Sequence, residues 1–161
     1  MATWAEFEAA APEMAAAGRA LLYQFGPGLG YLATVRKDGG PRLHPFCPAI
    51  AEGGIFGLII PSPKQDDLLR DGRYALHTFP KPDGDDEFYL TGTARRVDDP
   101  ARRAAVLAAY LSTGATSEGT ETFFEFDIER ALLAIYPKRG DGPGWPPTYT
   151  TWRDPASPRK S

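Results

Sequence analysis

The pattern of apolar and polar positions divides the chain into a helical N-terminal part and a longer part with β-like patterns. Thr3 can cap a first helix, because Glu6 is placed to reach back to its backbone amide in a capping box. Pro12 suits the first turn of a second helical piece. The glycine- and proline-containing segment 26–30 then ends the helical pattern. We therefore expect helices over residues 3–24.

Short apolar stretches separated by turn sequences predict strands in the next part of the chain. Three stretches, at 31–35, 41–50 and 55–60, are separated by the turns RKDGG and AEGG. They predict a meander of three antiparallel strands. A short helix is expected after them, from about Lys64 to Asp71.

The second half of the chain alternates in the same way between strands and one helix. Strands are predicted at 73–79, 87–97, 122–137 and 148–153, with a kink near 127–130. In the segment DPARRAAVLAAYL, Asp98 or Asp99 can cap a helix and Pro100 suits its first position.

Together these elements predict a mainly β protein of the α+β class, with six or seven mostly antiparallel strands and three peripheral helices. Such a strand count usually closes into a barrel. We expect one domain over residues 1–154 and a flexible tail over 155–161.

Composition narrows the class of partner and the compartment. The net charge is −3 and basic residues are interspersed with acids, which argues against nucleic acid as a partner. Cys47 is the single cysteine, so an internal disulfide is excluded, and with His44 and His77 it gives no zinc-site spacing. The apolar run 55–60 is too short to cross a bilayer. We expect a cytoplasmic protein without a metal or a membrane partner.

Candidate chemistry concentrates where the third predicted strand meets the short helix. Ser62 is a good N-cap and Pro63 suits the first helical position, so the amides of the first turn can bind an anion. A cation is unfavourable at a bare helix N-terminus, and a phosphate there would explain Lys64. The alternative is that Lys64 points to solvent while Asp66 and Asp67 satisfy the helix dipole.

The second predicted strand adds polar groups to this region. Side chains alternate in an extended chain, so Arg42, His44 and Phe46 share one face, opposite Leu43, Pro45 and Cys47. A meander would place this strand beside 55–60, and Arg42 would then complete a cluster of donors around one phosphate. The alternative is an ordinary edge strand with a surface arginine and histidine.

The order of these motifs resembles the pyridoxamine 5'-phosphate oxidase-like family of FMN-binding split β-barrels. The resemblance covers about residues 20–135 and rests on the successive segments LATVRKDGGPRLHPFCPAI, GGIFGLIIPSPKQDDLLRDGRYALH and DDEFYLTGTARRVDDPARR. It implies an antiparallel split β-barrel that forms a homodimer, with FMN held at the interface.

The resemblance also implies roles for individual residues. Arg42, Ser62 and Lys64 would hold the FMN phosphate. The isoalloxazine ring would run along the second and third strands, in contact with Leu43, His44, Pro45, Phe46, Ile59, Ile60 and Pro61.

Further implied contacts lie outside those two strands. Glu87 stands where the family's oxidases often place a flavin-facing glutamine, and its charge is unfavourable beside an anionic reduced flavin. Trp152 and Arg153 would reach the flavin across the dimer, although Trp152 suits a core position equally well. Trp145 would line a substrate pocket or act as a packing plug. His77 is expected to be a buried, hydrogen-bonded residue, and Cys47 a small core residue.

The function that follows is an FMN-dependent oxidoreductase acting on an unknown small molecule, with unknown catalytic residues. The chain lacks the C-terminal Arg-x-His segment of the true pyridoxamine-phosphate oxidases, so that activity is not expected. One alternative is a deazaflavin-dependent reductase, whose longer acidic cofactor tail would need basic residues such as Arg70, Arg73 and Lys81. Another alternative is a flavin or heme binder without turnover.

Overall fold

A computed structural model of the protein describes residues 1–137 and 146–157. It contains four helices, α1 (Trp4–Ala10), α2 (Pro12–Leu22), α3 (Pro63–Arg70) and α4 (Pro100–Ser112). Eight strands alternate with them: β1 (Gly30–Val35), β2 (Pro41–Phe46), β3 (Pro48–Ala51), β4 (Gly54–Ile59), β5 (Arg73–Thr78), β6 (Glu87–Arg96), β7 (Thr122–Ile135) and β8 (Thr148–Arg153). The predicted α+β class with an antiparallel sheet and peripheral helices is confirmed.

All eight strands belong to one antiparallel sheet. Seven of them follow the order β2-β1-β5-β6-β7-β4-β3, and β8 pairs with the C-terminal half of β7. The two end strands, β2 and β3, are joined by Cys47 alone. This short connection requires the sheet to curl until its ends meet, which gives a split β-barrel.

The predicted single strand over 41–50 is two strands, and each pairs with one of the two neighbours that the predicted meander gives to this segment. β2 pairs with β1, whereas β3 pairs with β4. The chain changes partners at Cys47, between Pro45 and Pro48, which cannot donate to a ladder. β2 therefore does not lie beside β4.

The local signals for helix ends and for the kink in β7 are confirmed. Thr3 and Glu6 form the predicted capping box at α1. Asp99 caps α4 by accepting from the backbone amide of Arg102 at 2.7 Å. The kink is a β-bulge, because the register between β6 and β7 passes from Thr91↔Arg130 to Gly92↔Ile128.

The barrel is filled mainly by aromatic side chains, and the helices cover only part of its surface. Trp4 and Phe7 of α1 pack against Phe88 inside the barrel. α4 covers another part of the sheet through a smaller cluster that includes Phe56 and Val106. Within the described residues, no helix is both long and apolar enough to span a bilayer.

The segment after β8 continues the ordered structure beyond residue 154. The Asp154 carboxylate is buried and accepts hydrogen bonds from the backbone amide of Ala156 at 3.1 Å and the hydroxyl of Ser157 at 3.0 Å. Ser157 is also buried. Part of the segment predicted to be a flexible tail therefore packs on the barrel, and residues 158–161 lie outside the described range.

Candidate functional site

Lys64 lies in the first turn of α3, directly after the end of β4. The N-cap position is Ser62 and Pro63 follows it, as predicted. The Ser62 hydroxyl donates to the carbonyl oxygen of Ile60 at 2.8 Å and makes no capping hydrogen bond to the helix. The side chain of Ser62 therefore does not occupy the N-terminus of α3.

Asp67 of α3 is the buried acid of this region, and its carboxylate is fully used by neighbouring donors. It is 3% exposed. It accepts from Thr34 Oγ1 at 2.9 Å, from Arg42 Nε at 2.7 Å and from Arg70 Nη2 at 3.2 Å. Burial by itself raises the pKa of Asp67, but hydrogen bonds from Arg42, Thr34 and Arg70 bring this pKa below its ordinary value.

This network explains how Arg42 comes close to α3 although β2 does not pair with β4. Arg42 and Thr34 are paired residues of β2 and β1, on the side of the sheet that α3 covers. Arg42 uses Nε for Asp67, and its side chain remains 29% exposed. The sequence predicts that Arg42 is a phosphate ligand. In the structure, Arg42 forms an ion pair with Asp67.

Lys64 has no comparable partner. Among the described residues, no carboxylate forms an ion pair with it, and burial lowers its pKa, with the Cys47 thiol acting in the opposite direction. His44 lies on the same side of β2 as Arg42, and its Nε2 is buried without a hydrogen-bond partner. Burial lowers the pKa of His44, and the charges of Lys64 and Arg42 lower it further. We call Arg42, His44 and Lys64 the cationic corner.

The wall of the cationic corner includes two residues whose contact the sequence did not predict. Cys47, between β2 and β3, lies close enough to Tyr110 of α4 for each side chain to affect the pKa of the other. Burial raises the pKa of Cys47, against weaker effects of Tyr110 and Lys64, and burial with the neighbouring Cys47 raises the pKa of Tyr110 to about 12. Tyr110 occupies a buried position on a helix, so its sequence pattern gives no functional signal.

The seven residues expected along a cofactor ring fall into two groups. Phe46 and Ile59 are core residues, 5% and 1% exposed, so a ligand would meet their backbone and not their side chains. Leu43 is 64% and Ile60 43% exposed. Pro45 and Pro61 are exposed with them, and His44 is partly buried. The exposed apolar residues therefore lie in two places: Leu43 and Pro45 on the face of β2 opposite Arg42 and His44, and Ile60 and Pro61 between β4 and Ser62.

The remaining predicted site residues lie on other strands, β6 and β8. Glu87 begins β6, and its Oε2 is 3.9 Å from Nε2 of His77. The prediction that His77 is buried is wrong: its side chain is 41% exposed, because strand alternation places it on a face of β5 that points away from the core. Its hydrogen bond is confirmed, since Nδ1 lies 2.7 Å from the carbonyl oxygen of Thr78 and must donate to it.

Trp152 and Arg153 end β8. The Trp152 ring packs edge-on against Phe7 at a centroid distance of 5.0 Å, which fits the packing interpretation of this residue. Arg153 Nη2 lies 3.2 Å from Glu129 Oε1. The prediction for Trp145 lies outside the described residues. Across residues 1–137 and 146–157, no three or more His, Cys, Asp or Glu side chains are grouped to hold a metal ion.

Comparison with solved structures identifies the fold of this chain, whereas comparison with family models and curated proteins finds no match. No protein-family model matches the sequence, and no curated protein matches it at a significant level. The fold is similar to that of a heme binding protein from Mycobacterium smegmatis, with a TM-score of 0.61 and 18% identity over 86% of this chain. The chain spans 57% of the length of that protein.

Two further structures share the fold over most of their own length. One is a protein related to general stress protein 26, of the pyridoxinephosphate oxidase family, from Clostridium acetobutylicum (TM-score 0.60, 12% identity, 86% of this chain and 92% of the other). The other is HutZ, the heme storage protein from Vibrio cholerae (TM-score 0.55, 16% identity, 67% and 85%). This chain therefore has the split-barrel fold found in heme-binding and pyridoxinephosphate-oxidase-like proteins.

Proposed function

We propose that the protein binds FMN, with the cofactor phosphate in the cationic corner, and acts as an oxidoreductase on a small molecule. The observation that carries the proposal is Lys64, a partly buried cation without a carboxylate partner among the described residues. A buried charge without a partner is costly, and a bound anion removes that cost. Asp67 cannot serve as this anion, because Thr34, Arg42 and Arg70 already use its carboxylate.

The residues of the cationic corner fit a phosphate group. Lys64 provides a point charge, the side chain of Arg42 remains 29% exposed, and the start of α3 is not capped by Ser62. Ile60 and Pro61, exposed between the end of β4 and the start of α3, offer an apolar surface for a flat ring next to that charge. When bound, FMN supplies the hydride chemistry, and the protein binds it, orients it and limits access of water.

A comparison of FMN with riboflavin tests the phosphate assignment. The two ligands share the ring and differ in the phosphate, so calorimetric titration of cofactor-free protein isolates the contribution of the cationic corner. We expect FMN to bind at least about 100-fold more tightly, in line with two charge-assisted contacts. Equal affinities would place the phosphate outside the corner.

We also propose a homodimer with the cofactor at its interface. Two large apolar side chains, Leu43 of β2 and Ile60 after β4, keep 64% and 43% of their surface exposed. A second copy would cover these apolar side chains and provide the second wall that a flat cofactor needs. Light scattering after gel filtration should give twice the mass of the chain, and a monomer would contradict this part of the proposal.

Turnover is tested separately from binding. Under exclusion of air, added NADH or NADPH should bleach the bound flavin of an oxidoreductase. If FMN binds and neither nucleotide bleaches it, the protein is better described as a flavin binder. The purified protein is expected to be yellow and to release FMN on denaturation.

The structure gives less support to a deazaflavin. The three basic residues available for its longer acidic tail are each engaged with an acid: Arg70 with Asp67 at 3.2 Å, Arg73 with Asp71 at 2.6 Å, and Lys81 with Asp86 at 2.8 Å. A deazaflavin would have to compete with these ion pairs. Stronger binding of the deazaflavin than of FMN would favour this alternative.

A heme binder without turnover is the second candidate, because two proteins of the same fold are described as heme-binding or heme-storing. Heme iron needs an axial ligand. In neutral His77 the proton lies on Nδ1, which donates to Thr78, so Nε2 carries the lone pair at the surface. A Soret band that shifts in the variant His77→Ala would support heme, and a flavin spectrum would exclude it as the resident cofactor.

A further inference from the structure

A cavity of about 250 Å³ lies between the N-terminal half of α4, the loop that follows this helix and the start of β7. Its lining includes Arg103, Ala104 and Leu107 of α4, Ser117 of the loop, and Glu121 and Phe123 where β7 begins. Residues four apart on a helix share a face, as do residues two apart on a strand, so both elements present one face to the cavity. The volume lies just below the range of drug-sized sites, about 300–1,000 Å³, and suits a smaller ligand.

Arg103 brings a positive charge to this cavity. Its guanidinium carbon lies 4.8 Å from the centroid of the Phe123 ring, so the side chain is held over an aromatic face. No carboxylate of residues 1–137 or 146–157 forms an ion pair with it. The planar fork of N–H donors can therefore accept a carboxylate from a ligand.

Glu121 brings a negative charge to the same cavity, although it is only 9% exposed. One carboxylate oxygen accepts from the Ser117 hydroxyl at 2.9 Å, and the other accepts from the backbone amide of Glu118 at 2.6 Å. Burial by itself raises the pKa of Glu121, but the hydrogen bonds bring this pKa below its ordinary value, so the carboxylate is ionised at neutral pH. Both donors are neutral, and within the part of the chain that the structure describes no cation pairs with this carboxylate.

The two opposite charges line one cavity without meeting each other. Arg103 and Glu121 both belong to the described residues, yet they form no ion pair together. A charge removed from water without a counter-ion is costly. A ligand with a single charge would match one of these groups and be repelled by the other, whereas a zwitterion would match both.

We propose that this cavity binds a small α-amino acid with an apolar side chain. The carboxylate would pair with Arg103, the ammonium group with Glu121, and the side chain would lie on Leu107. In an α-amino acid the two charged groups stand on one carbon, which suits a cavity of this size. The inference does not depend on FMN binding, because no residue of the cationic corner lines the cavity.

Three probes with the same branched carbon chain test the inference on the full chain as purified. L-Leucine carries both charges, 4-methylpentanoate lacks the ammonium group, and 3-methylbutylamine lacks the carboxylate. Calorimetric titration should show leucine binding at least about tenfold more tightly than either of the other two. Equal affinity for leucine and one of the singly charged probes, or no binding of leucine, would overturn the proposal.

Two substitutions that each remove one charge assign the contacts. Arg103→Gln should weaken leucine at least about tenfold and should not weaken 3-methylbutylamine, which lacks the group that Arg103 binds. Glu121→Gln should weaken leucine to a similar degree and should not weaken 4-methylpentanoate. Arg36→Gln, in the exposed turn after β1, and Glu118→Gln, exposed in the same loop as Ser117, are the matched controls and should keep wild-type leucine affinity. Wild-type leucine affinity in folded Arg103→Gln would contradict the assignment.

A third substitution fills the cavity without removing a charge. Ala104 is exposed on α4 and lines the cavity, so Ala104→Trp should abolish leucine binding while circular dichroism shows the helix retained. This variant, and the comparison of leucine with 4-methylpentanoate on the wild type, still test the site if Glu121→Gln fails to fold. Wild-type leucine affinity in a folded Ala104→Trp protein would contradict the location.

A titration with FMN separates this inference from the proposed function. Arg103→Gln should lose leucine and keep FMN, whereas Lys64→Glu should lose FMN and keep leucine. If leucine binds and is lost in Arg103→Gln while FMN does not bind at all, the proposed function is contradicted and the amino-acid site is supported. Loss of leucine affinity in a folded Lys64→Glu protein would overturn the cavity assignment.

Discussion

Arg42 of β2 donates from Nε to the carboxylate of Asp67 on α3 over 2.7 Å. This contact ties the short helix α3 to β2. It also provides a hydrogen-bond partner for the buried carboxylate of Asp67. Lys64, one turn earlier in α3, is left without an acidic partner among the described residues. The same ion pair thus stabilises α3 and creates the cationic corner.

The first prediction concerns the stability that Asp67 provides. Asp67→Asn should lower the free energy of unfolding by about 2 kcal/mol, because Arg42 and Arg70 lose their acidic partner while remaining only partly exposed. Urea denaturation measures the change. Asp38→Asn is the matched control, since its carboxylate is exposed and pairs with Arg36 at the surface. Equal loss in both variants would contradict the role given to Asp67.

The pH dependence of stability gives a second prediction for Asp67. Its pKa in the folded protein is below the ordinary value of 3.8, so the stabilisation is complete above that value and is lost as the pH falls through the lower folded value. Between neutral pH and acid, the wild type should therefore lose more stability than Asp67→Asn. If the free energy of unfolding changed with pH in the same way in both proteins, the folded structure would not favour the ionised carboxylate of Asp67.

The third prediction concerns the β-bulge between β6 and β7. Gly92→Ala should destabilise the fold by about 3 kcal/mol, because the new Cβ would lie 1.8 Å from the carbonyl oxygen of Asp127. In Gly84→Ala, by contrast, the new Cβ has only ordinary contacts, the nearest at 3.6 Å to Lys81. Thermal unfolding of the two variants measures the difference. A Gly92→Ala protein as stable as Gly84→Ala would mean that the bulge can move.

The fourth prediction uses Cys47, the single cysteine of the chain. Burial raises its pKa above the ordinary value of 9.0, so less thiolate is present at any given pH than in a free cysteine. Alkylation by iodoacetamide should be slower than for a cysteine peptide, and its pH profile should be displaced upward. FMN should slow it further, because Cys47 interacts with Lys64. Alkylation as fast as in the peptide would contradict the burial.

Local features of the fold could be predicted from the sequence, because neighbouring residues determine them. The caps at Thr3 and Asp99 each depend on a residue three positions later. The sequence predicts the kink in β7 in the right place. It does not show that Asp127 of β7 lies against Gly92 of β6 there, because the two residues are distant in the sequence.

Pairing between distant segments could not be predicted in the same way. The alternation along 41–47 correctly places Arg42, His44 and Phe46 on one face. It does not indicate that the chain changes partner strands at Cys47. Two short strands and one longer strand with prolines would give the same alternation of apolar and polar residues. The contact of Arg42 with Asp67 and that of Cys47 with Tyr110 both depend on how helices pack on the barrel.

The central claim, an anionic cofactor group bound by Lys64, is tested most directly by FMN binding to Lys64→Glu. Lys37→Glu is the matched control, since it makes the same charge change in the exposed turn between β1 and β2. Circular dichroism should show both variants folded. We predict that Lys64→Glu loses FMN affinity at least about 100-fold, whereas Lys37→Glu retains it. Wild-type FMN affinity in a folded Lys64→Glu protein would contradict the account.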